Sequence, residues 1–285
     1  MFRKTSLKRN FKFVLLALMT IFAVDFLLTA TEGLPKSIPS SVRSLAFSRN
    51  GSAPNCPSVR LSSKVLPNIA LVSYPGSGNT WTRHLIQQLT GIATGSVYID
   101  EALRLNGFPG ESLSNGSVVA VKTHEYYEGK RYTRAILLIR NPYEAFLSLF
   151  KLIKSNHTGE LTVDKYGKDW DEFAFKEIDH YHKLLASWMK HRDVLLIFYD
   201  ALKQNLTQEL VKIKAFLGES DIAGDIRCAM INSAGTFHRK KIGLTLDFFY
   251  SKKQIKSVNM FIDQMRKMLE DRFGKITVDM DAWKL

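Results

Sequence analysis

Cysteine is nearly absent from this chain, with two residues in 285, Cys56 and Cys228, which excludes a scaffold held by several bridges. No internal repeat or heptad array is present, so solenoids and coiled coils are excluded as well. The one biased tract, rich in Ser, Pro and Arg, covers residues 31–64. Beyond residue 30 no apolar run approaches the length that crosses a membrane. A nucleotide-triphosphate loop of the form G-x-x-x-x-G-K-[ST] is also missing. Acidic residues are the minority, 27 against 40 Lys and Arg, for a formal net charge of +13. What is present is 45% hydrophobic and 11% aromatic, enough to bury a sizeable core in one or two domains.

The exception to the lack of long apolar runs lies at the start. Phe13 to Ala30 carries one charge, Asp25, and follows Arg3, Lys4, Lys8, Arg9 and Lys12. A basic flank marks the cytosolic side, so residues 1–12 read as a cytosolic tail and 13–30 as a signal-anchor transmembrane helix. A cleaved signal peptide is the competing reading; its apolar part is normally about 7 to 15 residues and a small-x-small site follows it, which is not the case here. Residues 31–64 then read as a luminal stem and 65–285 as the folded domain. Without the tail and Asp25, the luminal part holds 35 Lys and Arg against 26 Asp and Glu. That balance suits anionic cofactors and acidic glycans. It would suit nucleic acid equally, but the expected topology puts the domain on the wrong side of the membrane. In a lumen, the sequons at Asn50, Asn115, Asn156 and Asn205 become glycan acceptors, although N-x-[ST] also arises by chance. An oxidising lumen also lets Cys56 and Cys228 pair; two free thiols are the alternative.

From Leu66 short apolar runs alternate with longer amphipathic ones, as a layered α/β domain requires. The runs at 69–74, 118–122, 135–139 and 194–199 are nearly continuously apolar, the mark of strands buried on both faces of a mostly parallel sheet. Helices are expected at 80–89, 142–154, 170–190, 206–217 and 252–269. Ligands in such sheets bind beyond the carboxyl ends of the strands, so residues that follow strands are the candidates.

The first strand runs into Tyr74-Pro75-Gly76-Ser77-Gly78-Asn79-Thr80-Trp81. A Gly/Ser turn opening into a helix leaves backbone N–H groups free to hold an anion, although the same pattern also serves as plain architecture. Ser77, Asn79 and Thr80 add side-chain donors, and Trp81 is either a flat face for a base or simple core. After the second strand come Lys122, Thr123 and His124, a cation beside an imidazole able to take a proton at luminal pH. Arg140 precedes an Asn141-Pro142 helix start, placed either to clamp a phosphate or to pair with a carboxylate, and Ser148 lies eight residues on. Tyr199-Asp200 ends the fourth strand. His238-Arg239-Lys240-Lys241 is a basic loop, a solvated charge run or a flap over a polyanion.

Taken in order, YPGSGNTW, VKTH, RNPYEAFLSLF, the strand ending Tyr-Asp, Phe216-Leu217-Gly218 and HRKKIG resemble the sulfotransferases that use 3′-phosphoadenosine 5′-phosphosulfate (PAPS). The stretch LPNIALVSYPGSGNTWTRHLIQQLTG, with VKTHE and LIRNPY, is similar in particular to the WSC-domain-containing (WSCD) family, although the cysteine-rich WSC modules are missing. The resemblance covers roughly residues 56–285 and implies a P-loop-like three-layer α/β domain. It further implies that Gly76, Ser77, Gly78, Asn79 and Thr80 hold the 5′-phosphosulfate and that Trp81 and Tyr199 flank the adenine. Arg140, Ser148, Arg239 and Lys240 would bind the 3′-phosphate, His124 would be the base, and Lys122 would assist it. No metal is implied. The implied reaction is sulfuryl transfer to a glycan hydroxyl, sialylated or otherwise, by a single-pass type II protein of the Golgi. Gly76 stands where cytosolic members keep a lysine for the leaving group, so either another cation (Lys122, Arg83 or a basic-loop residue) serves, or the chain binds without turnover. Oligomeric state is not legible.

Overall fold

The structure, a computed structural model, describes residues 55–129, 131–154, 167–218, 225–235 and 245–285. The expected cytosolic tail, span and most of the stem, together with Asn50, Asn156, Arg239 and Lys240, lie outside these residues. Among the described residues no helix is long and apolar enough to cross a membrane.

Five parallel strands form one sheet: β1 (Ile69–Ser73), β2 (Gly95–Ser96), β3 (Val121–Thr123), β4 (Arg134–Ile139) and β5 (Val194–Phe198). Their order across the sheet is β2-β3-β1-β4-β5. β1 is central and fully buried, pairing with β3 on one side and β4 on the other. The chain therefore turns one way from β1 to reach β3 and the other way to reach β4. A crevice opens at the carboxyl end of a strand with that topology, which is where open parallel sheets take ligands.

Alternate side chains of each strand face opposite layers. Ala70 and Val72 join a core with Tyr74, Tyr143, Phe146, Trp170, Tyr181 and Phe261. Ile69 and Leu71 join a second with Leu85, Ile86, Leu89, Leu210 and Ile213. The first layer is supplied by α3 (Pro142–Lys154), α4 (Gly167–Trp188) and α8 (Lys252–Phe273), and the second by α1 (Asn79–Thr90) and α6 (Leu206–Leu217). Between these lie short helices α2 (Glu101–Leu105), α5 (Tyr199–Gln204) and α7 (Ile226–Ile231). β2 and these three helices carry too few residues to show a period and were not expected from the sequence. The helix starts follow local chemistry. Asn141 Oδ1 accepts from the Tyr143 N–H at 3.0 Å, and Ser251 and Gln254 close a capping box at the head of α8.

The segment before β1 is tied to the domain. Arg60 pairs in parallel with Ile92, and the N–H groups of Ser62 and Leu66 donate to the carbonyls of Ser117 and Gly116. Cys56 and Cys228 form a disulfide with Cα atoms 5.5 Å apart, joining this segment to α7.

Candidate active site

At the carboxyl end of β1 the chain passes through Gly76 at φ +82° and Gly78 at φ +92°, both in the left-handed region that glycine alone enters freely. Neither position has room for a side chain. A Cβ on Gly76 would lie 2.8 Å from the Ala145 carbonyl of α3, and one on Gly78 would lie 2.5 Å from the Tyr199 ring. The first intrahelical bond of α1 runs from the Thr82 N–H to the Gly78 carbonyl, leaving the N–H groups at the helix head without a backbone acceptor among the described residues. The first turn holds no acidic residue. Such a helix head attracts an anion.

The named donors divide. The Asn79 amide turns inward and donates to the Leu71 carbonyl and to Ser73 Oγ, bracing β1 rather than facing the cradle. Ser77 is buried beside Tyr181. Trp81 donates its indole N–H to the Ser233 carbonyl at 2.7 Å and stands edge to face with Tyr199, ring centroids 5.6 Å apart. Both rings are half-buried, which leaves an aromatic lip beside the cradle.

Arg140 takes the second of the two roles that its position allowed, pairing with a carboxylate, and also ties down the cradle. Its Nη1 donates to the Gly76 carbonyl at 2.7 Å, its Nε and Nη2 both reach Glu144 Oε2, and its guanidinium lies over the Tyr199 ring at 4.5 Å. Tyr181 fixes the backbone behind it, its hydroxyl accepting from the Arg140 N–H and donating to the Arg140 carbonyl. A Cβ on Gly76 would come within 3.3 Å of Ser148 Cβ, so Arg140, Ser148 and the cradle meet at one point.

On the other side of β1 stands His124. Its Nδ1 lies 2.7 Å from the Ser73 carbonyl, which can only accept, so Nδ1 carries the proton and Nε2 presents its lone pair. Tyr98 holds the residue in place. Its hydroxyl accepts from the His124 N–H at 3.0 Å, its ring stacks on the imidazole, and the Lys122 ammonium lies 5.6 Å from the centre of that ring. Burial, reinforced by the Lys122 charge, pushes His124 down to about 3. Burial likewise lowers Lys122 to about 8, against the opposing pull of Glu111. Arg83 is fully buried in a 2.6 Å ion pair with Glu111, with its Nε and Nη2 donating to Thr94, so it is not the replacement for the missing loop lysine. Asp200 accepts from Trp283 and pairs with Lys203, a structural role.

Tyr98, Tyr181 and Ser233 escaped sequence reasoning because each acts by standing beside a residue distant in the chain, and Glu144 was not singled out either. The only local hint was Glu144, four residues beyond Arg140 on a helix. Two of the sequons are described: Asn115 and Asn205 are both exposed, in a turn and at the junction of α5 and α6.

Residues 66–228 match the family model for the sulfotransferase domain. The chain belongs to the sulfotransferase family. WSCD family members are homologues: one of Aedes aegypti is 41% identical over 186 residues, 62% of this chain and 59% of that protein. One of Drosophila melanogaster is 39% identical over 188 residues, again 62% and 59%. The chain thus spans about three fifths of the length of these WSCD relatives. Sulfotransferase 6B1 of Pan troglodytes is 24% identical over 239 residues, 72% of this sulfotransferase chain and 75% of that one. Among solved structures, a mouse sulfotransferase complexed with PAP aligns at 19% identity over 70% of this chain and 84% of that one, with a TM-score of 0.48.

Proposed function

We propose that this chain moves the sulfuryl group of PAPS to a hydroxyl of a glycan acceptor. The observation that carries the reading is the pairing of His124 with Ser73. The carbonyl of Ser73, three residues before Gly76, accepts from Nδ1–H, which leaves the lone pair on Nε2. In the reaction the acceptor oxygen attacks sulfur, the bond from sulfur to the 5′-phosphate oxygen breaks, and the acceptor proton passes to His124 Nε2. The products are a sulfate ester and 3′-phosphoadenosine 5′-phosphate (PAP). Rate comes from positioning and from charge placed where it develops, as in phosphoryl transfer.

The leaving phosphate is met by the N–H groups at the head of α1 and by Lys122, which takes the place of the absent loop lysine. Arg140 and Ser148 hold the 3′-phosphate, a role that the family resemblance extends to Arg239 and Lys240. Trp81 and Tyr199 flank the adenine. The left-handed Gly76 and Gly78, closed against α3 and the Tyr199 ring, support an anion held by backbone N–H groups at this turn, and PAPS is the anion that the family resemblance implies. The basic balance of the chain suits an acidic acceptor, and a sialylated glycan meets that description. The apolar run at 13–30 would anchor the chain as a single-pass type II protein in the Golgi, with the domain luminal. The exposed sequons and the disulfide suit that compartment.

The experiment is transfer of radiolabelled sulfate from PAPS to a panel of sialylated and asialo glycans, with PAP and ATP–Mg²⁺ titrated separately. Label on a glycan with tight PAP binding is expected. Preference for ATP, or PAP binding without transfer to any glycan, overturns the reading.

A further inference from the structure

Beside the cradle the fold buries four charged side chains together. Arg83 on α1, Glu111 in the connection between α2 and β3, Asp100 at the head of α2 and Lys122 on β3 are 0%, 2%, 5% and 5% exposed. Lys122 stands opposite Leu71 in the register of β3 and β1, on the sheet face that α1 covers, so its side chain lies on the same side as Arg83. Arg83 itself sits four residues past Asn79, one turn into α1 behind the cradle. The quartet holds two cations and two carboxylates.

Arg83 is satisfied by one carboxylate. Its Nε and Nη2 donate to Thr94, its Nη1 meets Glu111 Oε2 at 2.6 Å, and its guanidinium lies over the Phe108 ring at 4.5 Å. The other oxygen of Glu111, Oε1, is buried with no hydrogen-bond partner among the described residues. Asp100 accepts from the Leu103 N–H at 3.0 Å as the cap of α2, a task that an uncharged Asn performs equally well. Capping therefore does not require the charge at position 100. Lys122 does require it, as the second buried cation of the cluster, with its ammonium over the Tyr98 ring. Burial presses Lys122 toward the neutral amine and Glu111 opposes it, while Arg83 adds to the first effect and Asp100 to the second. The other titratable neighbours contribute no charge: His124 is neutral, and burial holds the Tyr98 phenol well above its ordinary value.

We propose that Glu111 and Asp100 are positioning residues for sulfuryl transfer, whose joint negative charge keeps Lys122 an ammonium at the cradle in neutral solution. They act through Lys122 rather than on the substrates. A single carboxylate would leave two cations and one anion in a water-poor interior. The lysine is then the group that gives up its proton, because a guanidinium does not. The task given to Lys122 rests on the sulfotransferase reading, whereas its charge state does not.

The test reads Lys122 directly and transfer separately, both in the full chain. Lysine labelled with ¹³C at Cε gives an NMR signal that titrates with pH, assigned to Lys122 by its loss in Lys122→Arg. Glu111→Gln is expected to lower the Lys122 midpoint by about one pH unit, and Asp100→Asn to lower it by less, with α2 still capped. The double variant Arg83→Met/Glu111→Leu removes one charge of each sign and keeps the site apolar. It is expected to move the midpoint by less than half as much as Glu111→Gln. The alkaline limb of sulfate transfer should follow, Glu111→Gln losing about fivefold against wild type at about pH 8 and little at about pH 6. In a Lys122→Arg background the same substitution should produce no such pH-dependent loss. An unchanged midpoint in Glu111→Gln and Asp100→Asn overturns the proposal. So does activity lost equally at both pH values, the mark of purely structural damage. If Glu111→Gln does not fold, Asp100→Asn and the double variant decide. A shifted midpoint in a chain that transfers no sulfate removes the sulfotransferase reading and leaves the charge cluster standing, whereas transfer whose alkaline limb ignores the shifted midpoint removes the positioning role and leaves the reaction.

Discussion

Arg140 donates from Nη1 to the Gly76 carbonyl at 2.7 Å, across 64 residues of chain. One bond thereby couples the loop that would face the phosphosulfate to the side chain that would face the 3′-phosphate. Glu144 grips the other edge of the guanidinium and Tyr199 lies beneath it, so its plane is set before any nucleotide arrives. Replacing Arg140 with Ala removes the cation and the tie to the cradle together. PAP affinity is expected to fall by about 100-fold, the scale of ~3 kcal/mol for a charge-assisted contact. Arg140→Lys keeps the charge without the fork and is expected to recover only part of that loss in a calorimetric titration.

Placing at position 76 the lysine that the family resemblance implies for cytosolic members is expected to fail here. Gly76 sits at φ +82°, and a Cβ would meet the Ala145 carbonyl at 2.8 Å. Gly76→Lys therefore carries backbone strain plus a clash with α3, and is expected to lower stability by ~1–3 kcal/mol in chemical denaturation. Sulfate transfer should fall as well. A rise in turnover with unchanged stability would mean that the cradle reshapes.

His124→Ala is expected to reduce transfer by about 10²–10⁴-fold, the usual range for a lost general base. PAP affinity should stay within a factor of two, because the imidazole is held by Ser73 and Tyr98 and not by the residues proposed to hold the nucleotide. Wild-type turnover in this variant would remove the base assignment.

The pH profile follows from the two buried neighbours. Lys122, lowered to about 8, serves as a cation only below that pH, so transfer is expected to decline as pH rises through about 8, and Lys122→Arg to move that limb upward. His124, lowered to about 3, is neutral over the working range, so no acid limb from it is expected between about pH 5 and 7. The folding linkage has a definite sign. The unfolded imidazole gains a proton below about 6.5 while the native one does not, so this group makes the fold progressively less stable as pH falls from 6.5 toward 3. Denaturant midpoints between pH 7 and 5 for wild type and His124→Ala check it, the wild type losing more.

The disulfide closes a loop of 172 residues between the strap before β1 and α7. Constraint of the unfolded chain alone makes its loss cost ~2–5 kcal/mol, visible as a lower unfolding midpoint in reductant or in Cys56→Ser. Since α7 leads to Asn232 and Ser233, which hold His84 and Trp81, PAP affinity is expected to drop in the same samples.

Periodicity and local chemistry were enough to place most of the frame. Four strands showed as continuous apolar runs, although β3 begins at Val121 rather than at 118 and β5 is only partly buried, Asn141-Pro142 showed as a helix start, and the Gly76 to Gly78 turn as the passage from strand to helix, because each signal is confined to a few adjacent residues. β2, with two residues, has no period to read and appeared only through its pairing with β3. The order of motifs along the chain also carried the family, since six segments in one sequence constrain identity far more than any one of them.

Which side chains face the chemistry was decided by tertiary contacts, because burial and hydrogen-bond partners come from residues far apart in sequence. Arg83 looked available as a cation until Glu111 and Thr94 enclosed it, and Asn79 looked like a cradle donor until Leu71 and Ser73 claimed its amide. The tautomer of His124 depends on a carbonyl 51 residues away. Sequence determines which groups exist; only the packed fold determines which donors and lone pairs are already taken.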